Sequence, residues 1–382
     1  MLYFDFHGES LSRLGFGTMR LPLDPDGTID NKQMLEMVDY AIENGVNYFD
    51  TALPYHGGKS EIAIGEALKR YSRDRFYFAT KYPGHRIAEG YQPASTFELQ
   101  LQKCGVDFFD FYLFHNVNDT SLKLYMDPQF GMLDYFLDQK RRGRIRYFGF
   151  SCHARTENLE RFLDYCGDQI DFCQIEINYL DWTLQDAKGK YELLTQRGIP
   201  VWVMEPLRGG KLAKLGEENE NRLKALRPDE SIPAWGFRYL MGLPNIKMIL
   251  SGMSSMEQMV DNIKTFETDR PLSSMERETL LDIAETMKSG VPCTKCRYCC
   301  DGCPMKLDIP TLLQIYNDLC FAPTVTIGMQ MKSFDQDKLP SACICCGQCT
   351  AACPQQIDVP AAMKKFVAAM QNLPSPTKVT KP

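Results

Sequence analysis

Eight cysteines near the carboxyl end of the sequence fall into two runs with the same spacing. In each run two residues separate the first three cysteines, three residues precede the fourth, and a proline follows. The runs are Cys293, Cys296, Cys299 and Cys303, then Cys343, Cys346, Cys349 and Cys353. This is the bacterial spacing for iron–sulfur ligation, in which the fourth cysteine of each run ligates the other cluster. The sequence therefore predicts two [4Fe–4S] clusters.

The crossed pattern also predicts which cysteines share a cluster. One cluster would use Cys293, Cys296, Cys299 and Cys353, and the other would use Cys343, Cys346, Cys349 and Cys303. Zinc is the alternative, because C-x-x-C pairs also make four-ligand zinc sites, but it leaves the third closely spaced cysteine of each run unexplained. Disulfides are disfavoured because residues 1–10 contain no signal-peptide core. Cys300, Cys320 and Cys345 lie outside the spacing and are interpreted as packing or spare thiols.

The segments after the two cysteine runs form an internal repeat. Met305–Pro310 and Gln355–Pro360 share an Asp-x-Pro ending. Each leads into an apolar-periodic stretch, Thr311–Leu319 or Ala361–Met370, with proline near the first turn of the predicted helix. Helices after both runs resemble an α-helical ferredoxin-like domain more than the compact β-hairpin type.

Length and composition limit the class of protein. A chain of 382 residues predicts about two domains, and 44% hydrophobic residues can bury a substantial core. The net charge of −6 argues against nucleic acid or an anionic membrane as a partner, and no apolar run is long enough to span a bilayer. Together with the clustered cysteines, these features predict a cytoplasmic protein in a reducing, low-oxygen setting, such as that of an anaerobe.

Residues 1–288 alternate short apolar strands with amphipathic helical stretches such as Glu157–Cys166. Eight such units predict a TIM barrel, with an open doubly wound sheet as the alternative, and residues 1–12 are expected to form a hairpin at the barrel bottom. The fold prediction is an α/β chain, a (β/α)8 barrel over 1–288, a two-cluster domain over 289–372 and a polar tail over 373–382. Ser289–Pro292 is the predicted linker. The candidate strands are Leu14–Thr18, Val46–Asp50, Phe76–Lys81, Phe109–His115, Ile145–Ser151, Phe172–Ile177, Val201–Met204 and Met248–Ser251.

Three consecutive candidate strands end in an ionisable residue: Asp50, Lys81 and His115. In a barrel the carboxyl ends of the strands share one face, where active sites lie. Tyr55 follows Asp50 in the next loop. A single histidine at a strand end is as often structural as functional. Three ionisable residues at successive strand ends favour a catalytic site.

These residues carry a resemblance to a known family. Asp50-Thr51-Ala52-x-x-Tyr55, followed by Gly58 and Ser60-Glu61, resembles the aldo-keto reductase signature, and Lys81 and His115 match the rest of its catalytic tetrad. The whole chain is similar to the branch of predicted oxidoreductases in which such a barrel carries a twin-cluster ferredoxin-type domain. The resemblance implies reduction of a carbonyl compound, or oxidation of an alcohol, with a nicotinamide nucleotide.

The tetrad also makes chemical sense from its residue types. A tyrosine with a pKa of about 10 donates its proton poorly at neutral pH, and a neighbouring ammonium group lowers that pKa. Lys81 would act in this way on Tyr55, and Asp50 would hold Lys81 charged. His115 would donate a hydrogen bond to the substrate oxygen, and Tyr55 would protonate that oxygen as hydride reaches the carbon.

The resemblance further implies a set of nucleotide contacts, and three positions depart from the family pattern. Cys152 stands where asparagine is frequent, Met204 where an aromatic ring commonly stacks on nicotinamide, and Gln258 where arginine often holds the 2′-phosphate of NADP. Gln258 weakens a preference for NADP over NAD because it carries no charge. The implied contacts are Gly17, Thr18, Met19, Ser151, Gln174, Leu207, Arg208, Gly210, Ser251, Gly252, Ser254, Gln258 and Asn262. Ser254-x-x-Glu257 also matches a helix capping box.

The leading functional hypothesis is an iron–sulfur oxidoreductase that uses NADP or NAD in the barrel and passes electrons through its clusters. Its partners would be a small carbonyl or alcohol substrate and an external electron donor or acceptor protein. Two alternatives stay open at this stage: a ferredoxin-fed reductase without nicotinamide, and a non-catalytic redox sensor or electron-transfer subunit.

Overall fold

The computed structural model describes residues 1–287, 290–291, 293, 297–321, 323–353, 357–371 and 373. The chain divides into two compact units, Met1–Leu281 and Asp282–Pro382. Cys296, the linker residues Ser289 and Pro292, and 374–382 of the predicted tail lie outside the described residues. In the part of the chain that is described, no helix has the length and apolar character needed to cross a membrane.

Parallel strands in the first unit close into a barrel. The described strands follow the order β10-β3-β4-β5-β6-β7-β8-β9, and β9 pairs with β10 to complete the ring. The closed ring confirms the predicted TIM barrel and is incompatible with an open sheet. The barrel strands are β3 Leu14–Gly17, β4 Tyr48–Asp50, β5 Tyr77–Tyr82, β6 Phe109–Val117, β7 Ile145–Cys152, β8 Phe172–Glu176, β9 Val201–Met204 and β10 Ile246–Ser251.

The helices around the barrel are amphipathic. Their buried positions recur with helical periodicity, so that one face of each helix packs against the barrel. In Thr156–Cys166 the buried residues Leu159, Phe162, Leu163 and Cys166 recur at spacings of three and four. The helices assigned in this unit are α1 Asn31–Glu43, α2 Ser60–Leu68, α3 Pro93–Cys104, α4 Leu122–Tyr125, α5 Met132–Arg141, α6 Thr156–Cys166, α7 Asp181–Leu184, α8 Ala187–Gln196, α9 Glu217–Leu226, α10 Ile232–Met241, α11 Met256–Thr265 and α12 Ser274–Met287, whose last residues belong to the second unit.

An antiparallel hairpin precedes the barrel, as the sequence predicts. Its strands are β1 Tyr3–Phe6 and β2 Glu9–Ser12. Phe6 is buried and packs edge-on against Trp202 at a ring-centroid distance of 5.0 Å. Both rings belong to one apolar cluster with side chains from inside the barrel. The hairpin therefore plugs one end of the barrel, and the other end holds the polar strand termini.

The second unit is helical and repeats one motif. A residue in the left-handed conformation, Arg297 in the first copy and Gly347 in the second, precedes a one-turn helix that carries the third cysteine of its run. The one-turn helices contact each other, and so do the longer helices that follow them. The helices are α13 Tyr298–Asp301, α14 Ile309–Phe321, α15 Val325–Lys332, α16 Gln348–Ala351 and α17 Val359–Met370. The two helices predicted after the cysteine runs are confirmed within α14 and α17.

Candidate active site and cluster centre

Lys81 and Asp50 form a buried ion pair at the carboxyl ends of β5 and β4. Lys81 Nζ lies 2.5 Å from Asp50 Oδ1 and donates a second hydrogen bond to the backbone oxygen of Thr51 at 2.8 Å. Burial acts to lower the pKa of Lys81, but Asp50 and Tyr55 outweigh it and raise that pKa above its ordinary value. Lys81 is therefore held as an ammonium group, and loss of either partner would leave a buried charge, which typically costs about 3–5 kcal/mol.

Tyr55 lies between this ion pair and His115. Lys81 Nζ is 5.1 Å from the centroid of the Tyr55 ring, and the rings of Tyr55 and His115 meet edge-to-face at 5.8 Å. Burial raises the pKa of Tyr55, and Lys81 opposes this shift without reversing it. The sequence correctly predicts the direction in which Lys81 acts. It does not predict that burial dominates and holds the pKa of Tyr55 above its ordinary value.

His115 is aimed by an irregularity in its own strand. The register between β6 and β7 shifts between Phe114 and Val117, and Asn116 has a φ of 61°. Such a bulge re-aims a strand-end side chain. Burial, followed by His85 and Lys81, lowers the pKa of His115 well below its usual range. His115 Nδ1 is buried without a hydrogen-bond partner among the described residues. A neutral imidazole donates one hydrogen bond, as carbonyl recognition requires.

A buried polar network behind the tetrad was not predicted from the sequence. Gln100 Nε2 donates to Glu61 Oε1 at 2.6 Å and to the backbone oxygen of Lys81 at 3.1 Å. Lys103 pairs with the second Glu61 oxygen at 3.1 Å. A fully buried glutamate needs partners, but no signal in the sequence indicates this network, because only the fold shows that Glu61 is buried. The network fixes the backbone from which Lys81 projects.

Three hydroxyl groups connect this site to the first predicted nucleotide loop. Ser60 Oγ lies 2.8 Å from Thr18 Oγ1 and 2.9 Å from Thr51 Oγ1, and all three residues are buried. Gly17 ends β3 beside Ser251, and Met19 is about half exposed in the short turn that follows. The loop with Gly17, Thr18 and Met19 is therefore fastened to the backbone that binds Lys81.

Gln174 and Ser151 face each other on neighbouring strands. They are direct partners in the register of β8 and β7. Gln174 Oε1 is buried without a hydrogen-bond partner among the described residues, so it can accept from a carboxamide N–H. Ser151 Oγ accepts from the backbone N–H of Asn116 at 2.8 Å and donates its own proton to the Phe114 backbone oxygen in a long bond of 3.5 Å, which a bound carboxamide oxygen can replace. This donor and acceptor pair fits the carboxamide of a nicotinamide.

The predicted pyrophosphate loop is left-handed at three consecutive residues. Arg208, Gly209 and Gly210 have φ values of 48°, 64° and 89°. Arg208 Nε donates to Asp181 Oδ2 at 3.0 Å, and both side chains are almost fully buried, so Arg208 positions the loop through Asp181. Leu207 packs towards Gly236 of α10. Arg20, next to Met19, forms an ion pair with Glu205 at 3.3 Å. This pair connects the pyrophosphate loop to the loop that contains Met19.

The last predicted loop follows β10, and its hydrogen bonds differ in part from the prediction. Asn262 Nδ2 donates to Ser251 Oγ at 2.9 Å in a buried contact. Ser255, one residue after the predicted capping residue, caps α11 by accepting from the Gln258 N–H. Ser254 Oγ instead donates to Arg20 O at 2.8 Å. Gly252 and Gln258 are exposed, and Gln258 Oε1 accepts from the Ser254 N–H at 2.8 Å. The predicted nucleotide contacts thus form a strip of loops along the ends of β3, β7, β8, β9 and β10.

In the second unit, thiols from both cysteine runs line one cavity. Its four cysteines are Cys303, Cys343, Cys346 and Cys349, and the rest of its lining is largely apolar, with Leu307, Ile309, Ile344, Val359 and Met363. This is the crossed set that the spacing predicts. Among the described residues, no three metal-binding side chains converge as ligands of a single ion would. Thiols around a cavity suit a group that fills it, so this donor set fits a [4Fe–4S] cluster.

The other predicted set is described in part, because Cys296 lies outside the described residues. Cys293, Cys299 and Cys353 all pack into the apolar core of this unit. Burial raises the pKa of Cys299 to about 12, and the neighbouring thiols of Cys300 and Cys293 act in the same direction. A metal deprotonates the thiol that coordinates it, so a thiol that is protonated in apolar surroundings is still suited to bind iron. Cys293, Cys299 and Cys353 are therefore also suited to ligate a cluster.

Comparison with known families identifies both parts of the chain. The sequence pattern of the Aldo/keto reductase family matches residues 13–285, and that of the 4Fe-4S dicluster domain matches residues 292–358. Because the first match covers more than half of the chain, the protein belongs to the aldo-keto reductase family and is an oxidoreductase. Its C-terminal part carries a 4Fe-4S dicluster domain.

Individual relatives match the barrel. The NADH-specific methylglyoxal reductase of Escherichia coli is 24% identical over 324 residues, which cover 73% of this chain and 96% of the relative. The crystal structure of the thermostable aldo-keto reductase Tm1743 in complex with the inhibitor epalrestat is 25% identical, with a TM-score of 0.60 over 74% of this chain and 100% of that one. An aldo-keto reductase from Klebsiella pneumoniae in complex with NADPH is 20% identical, with a TM-score of 0.59 over 74% and 93%, and shares the fold.

Proposed function

We propose that the barrel reduces a small carbonyl compound with a nicotinamide nucleotide, and that the reverse reaction oxidises the alcohol. The observation that carries the proposal is the buried pair of Lys81 and Asp50, with Tyr55 and His115 beside it. Its parts are a proton donor, a charge that stabilises the donor's anion, and a neutral hydrogen-bond donor. Carbonyl reduction uses all of them.

Each tetrad member has a separate task in this mechanism. His115, neutral because burial lowers its pKa, donates to the carbonyl oxygen and orients it. The nicotinamide supplies a hydride to the carbonyl carbon when it is bound. Tyr55 protonates the oxygen, and the Lys81 ammonium group stabilises the phenolate that remains. Asp50 keeps Lys81 charged and in place.

Direct nucleotide titration tests this proposal. NADH or NADPH added to the protein should show increased nicotinamide fluorescence, because the free Gln174 oxygen and the loop strip would place the ring in a buried site. Gln174→Leu removes the acceptor and should weaken binding about 3- to 10-fold, the effect of one hydrogen bond. A barrel that binds neither nucleotide would contradict the proposal and favour electron delivery from a ferredoxin-like donor.

We propose NADH as the preferred nucleotide, since Gln258 offers no charge to a 2′-phosphate and a relative of the barrel is an NADH-specific methylglyoxal reductase. Gln258→Arg should tighten NADPH binding by about 10-fold or more, because an arginine makes charge-assisted hydrogen bonds to phosphate. Binding of NADH should stay within about 2-fold of wild type.

A matched control for this variant is Val260→Arg. Val260 is exposed on the same helix and lies roughly 200° around its axis from Gln258. The Val260→Arg substitution adds the same charge on another face of the helix and should leave the ratio of NADPH to NADH affinity unchanged. Tighter NADPH binding by wild-type protein than NADH binding would contradict the proposed preference.

We further propose that both clusters transfer electrons to or from an external protein. An iron–sulfur cluster passes one electron at a time when bound, whereas a hydride carries two. The sequence contains no recognisable flavin motif that could divide the pair. An outside one-electron donor or acceptor would therefore serve the clusters.

Protein prepared without oxygen should contain about eight iron atoms and eight acid-labile sulfides per chain, four of each per [4Fe–4S] cluster. Elemental analysis and sulfide assay measure both numbers on the same sample. Chains in which Cys300 or Cys345 is replaced by alanine serve as controls, because these cysteines lie outside the ligand spacing, and should keep the full content. Zinc in place of iron would contradict the cluster assignment.

A further inference from the structure

Three polar side chains near the tetrad have no part in the proton transfer described above. They are His85, His153 and Glu176, here called the polar wall. His85 lies four residues after Lys81, and its ring meets the His115 ring edge-to-face at 5.5 Å. His153 follows β7, and its backbone N–H donates to the Val117 oxygen of β6 at 2.8 Å. Glu176 ends β8, which pairs with β7. The wall therefore continues from His115 across neighbouring strand ends.

The wall offers hydrogen-bonding atoms that the protein does not use. His85 Nδ1 lies 3.0 Å from the backbone oxygen of His115 and must donate to it, so Nε2 of the same ring is an acceptor. His153 Nδ1 is buried and has no hydrogen-bond partner among the described residues. It lies 3.9 Å from Glu176 Oε2, too far for a hydrogen bond between them but close enough for one hydroxyl group to contact both.

The charges around the wall favour a neutral ligand. Burial lowers the pKa of His85 and of His153 to about 4, so both rings are neutral at pH 7. Burial also raises the pKa of Glu176. Arg208 and Lys190 act to lower the pKa of Glu176 without reversing this shift, and Lys190 also acts on His153. A carboxylate or phosphate would find no cationic partner in two uncharged rings and a carboxyl group, and burying it against them unpaired would be costly. A hydroxyl group both donates and accepts, and suits all three.

We infer that His85, His153 and Glu176 bind hydroxyl groups of the substrate next to its carbonyl group. The substrate class is then a small, neutral, hydroxylated aldehyde or ketone. This inference rests on the proposed carbonyl reduction and makes it more specific.

The wild-type enzyme tests the inference with three aldehydes of similar size: glyceraldehyde, propanal and glyoxylate. Two extra hydrogen bonds should make kcat/KM for glyceraldehyde about 10-fold or more higher than for propanal, and glyoxylate should be the poorest of the three. His153→Leu removes one hydroxyl partner and should lower the ratio of glyceraldehyde to propanal about 3- to 10-fold. His7→Asn is the control, since His7 lies in the hairpin turn at the plugged end and has a φ of 54°, which asparagine tolerates.

The outcomes separate this inference from the function on which it rests. If wild-type enzyme reduces propanal or glyoxylate at least as efficiently as glyceraldehyde, or if His153→Leu folds and keeps the wild-type ratio, the inference is wrong and carbonyl reduction stands. The wild-type comparison needs no variant and so decides the matter even if His153→Leu fails to fold. No reduction of any aldehyde with NADH or NADPH would overturn the proposed function and this inference together.

Discussion

Tyr55→Phe should lower kcat for carbonyl reduction about 10²- to 10⁴-fold, the contribution of a positioned general acid. The substitution removes one hydroxyl group and keeps the ring that packs edge-to-face against His115. Nucleotide binding should change little, because the predicted strip lies on other loops. Steady-state kinetics with a confirmed carbonyl substrate and fluorescence titration with NADH measure the two effects on the same preparation.

Tyr71→Phe is the matched control. The Tyr71 hydroxyl group bonds to Asp39, between α2 and α1 on the outside of the barrel, so this variant should keep wild-type kcat. Near-normal turnover by Tyr55→Phe would exclude Tyr55 as the proton donor. The wild-type pH profile gives a second check. Because the pKa of Tyr55 lies above its ordinary value of 10.0, the acid form persists through neutral pH, and reduction should be lost only as the pH rises through that raised value.

The fold was largely predictable because each barrel strand is a short apolar run. Strands that are buried on both sides need no alternation, and the run Phe109–Phe114 is buried at every position. The ends of the strands were less predictable. β6 continues to Val117, beyond the predicted end at His115, because the bulge at Asn116 lets pairing resume with Cys152. A bulge depends on the neighbouring strand, which a single-strand pattern does not contain.

The tetrad was predictable for a different reason. In a parallel barrel, the residue at the end of a strand is placed by topology alone, so Asp50, Lys81 and His115 need only be strand ends to meet. The balance of effects on Tyr55 was not predictable, because the pKa depends on how deeply the ring is buried as well as on Lys81. The polar wall was missed because His85 follows its strand by several residues, and only the folded loop brings it to His115.

The cysteine spacing predicted more than the identity of the cofactor. It predicted that Cys303 of the first run shares a site with Cys343, Cys346 and Cys349 of the second. In the structure these four thiols line one cavity. Spacing could predict this because short C-x-x-C steps restrict three ligands to one turn, while the proline after the fourth cysteine directs the chain away.

Cys303→Ala should therefore remove the cluster held by the second run, although Cys303 belongs to the first. The preparation should contain about four iron atoms per chain, half of the content of two clusters. The matched control is Cys300→Ala, which removes a partly buried thiol three residues earlier in the chain and should leave the iron content unchanged. Iron analysis and electron paramagnetic resonance of the reduced protein measure the loss and show whether one cluster signal survives.

Double variants identify which cluster is lost. If Cys303 and Cys346 ligate the same cluster, the double alanine variant should lose no more iron than either single variant, because the second change removes a ligand of a site that is already empty. Combining Cys303→Ala with Cys299→Ala should remove nearly all iron, since these two neighbours in sequence would serve different clusters. The reverse result, with full loss from the pair Cys303 and Cys346 and half loss from the pair Cys303 and Cys299, would show that each run ligates its own cluster and that the crossed assignment is wrong.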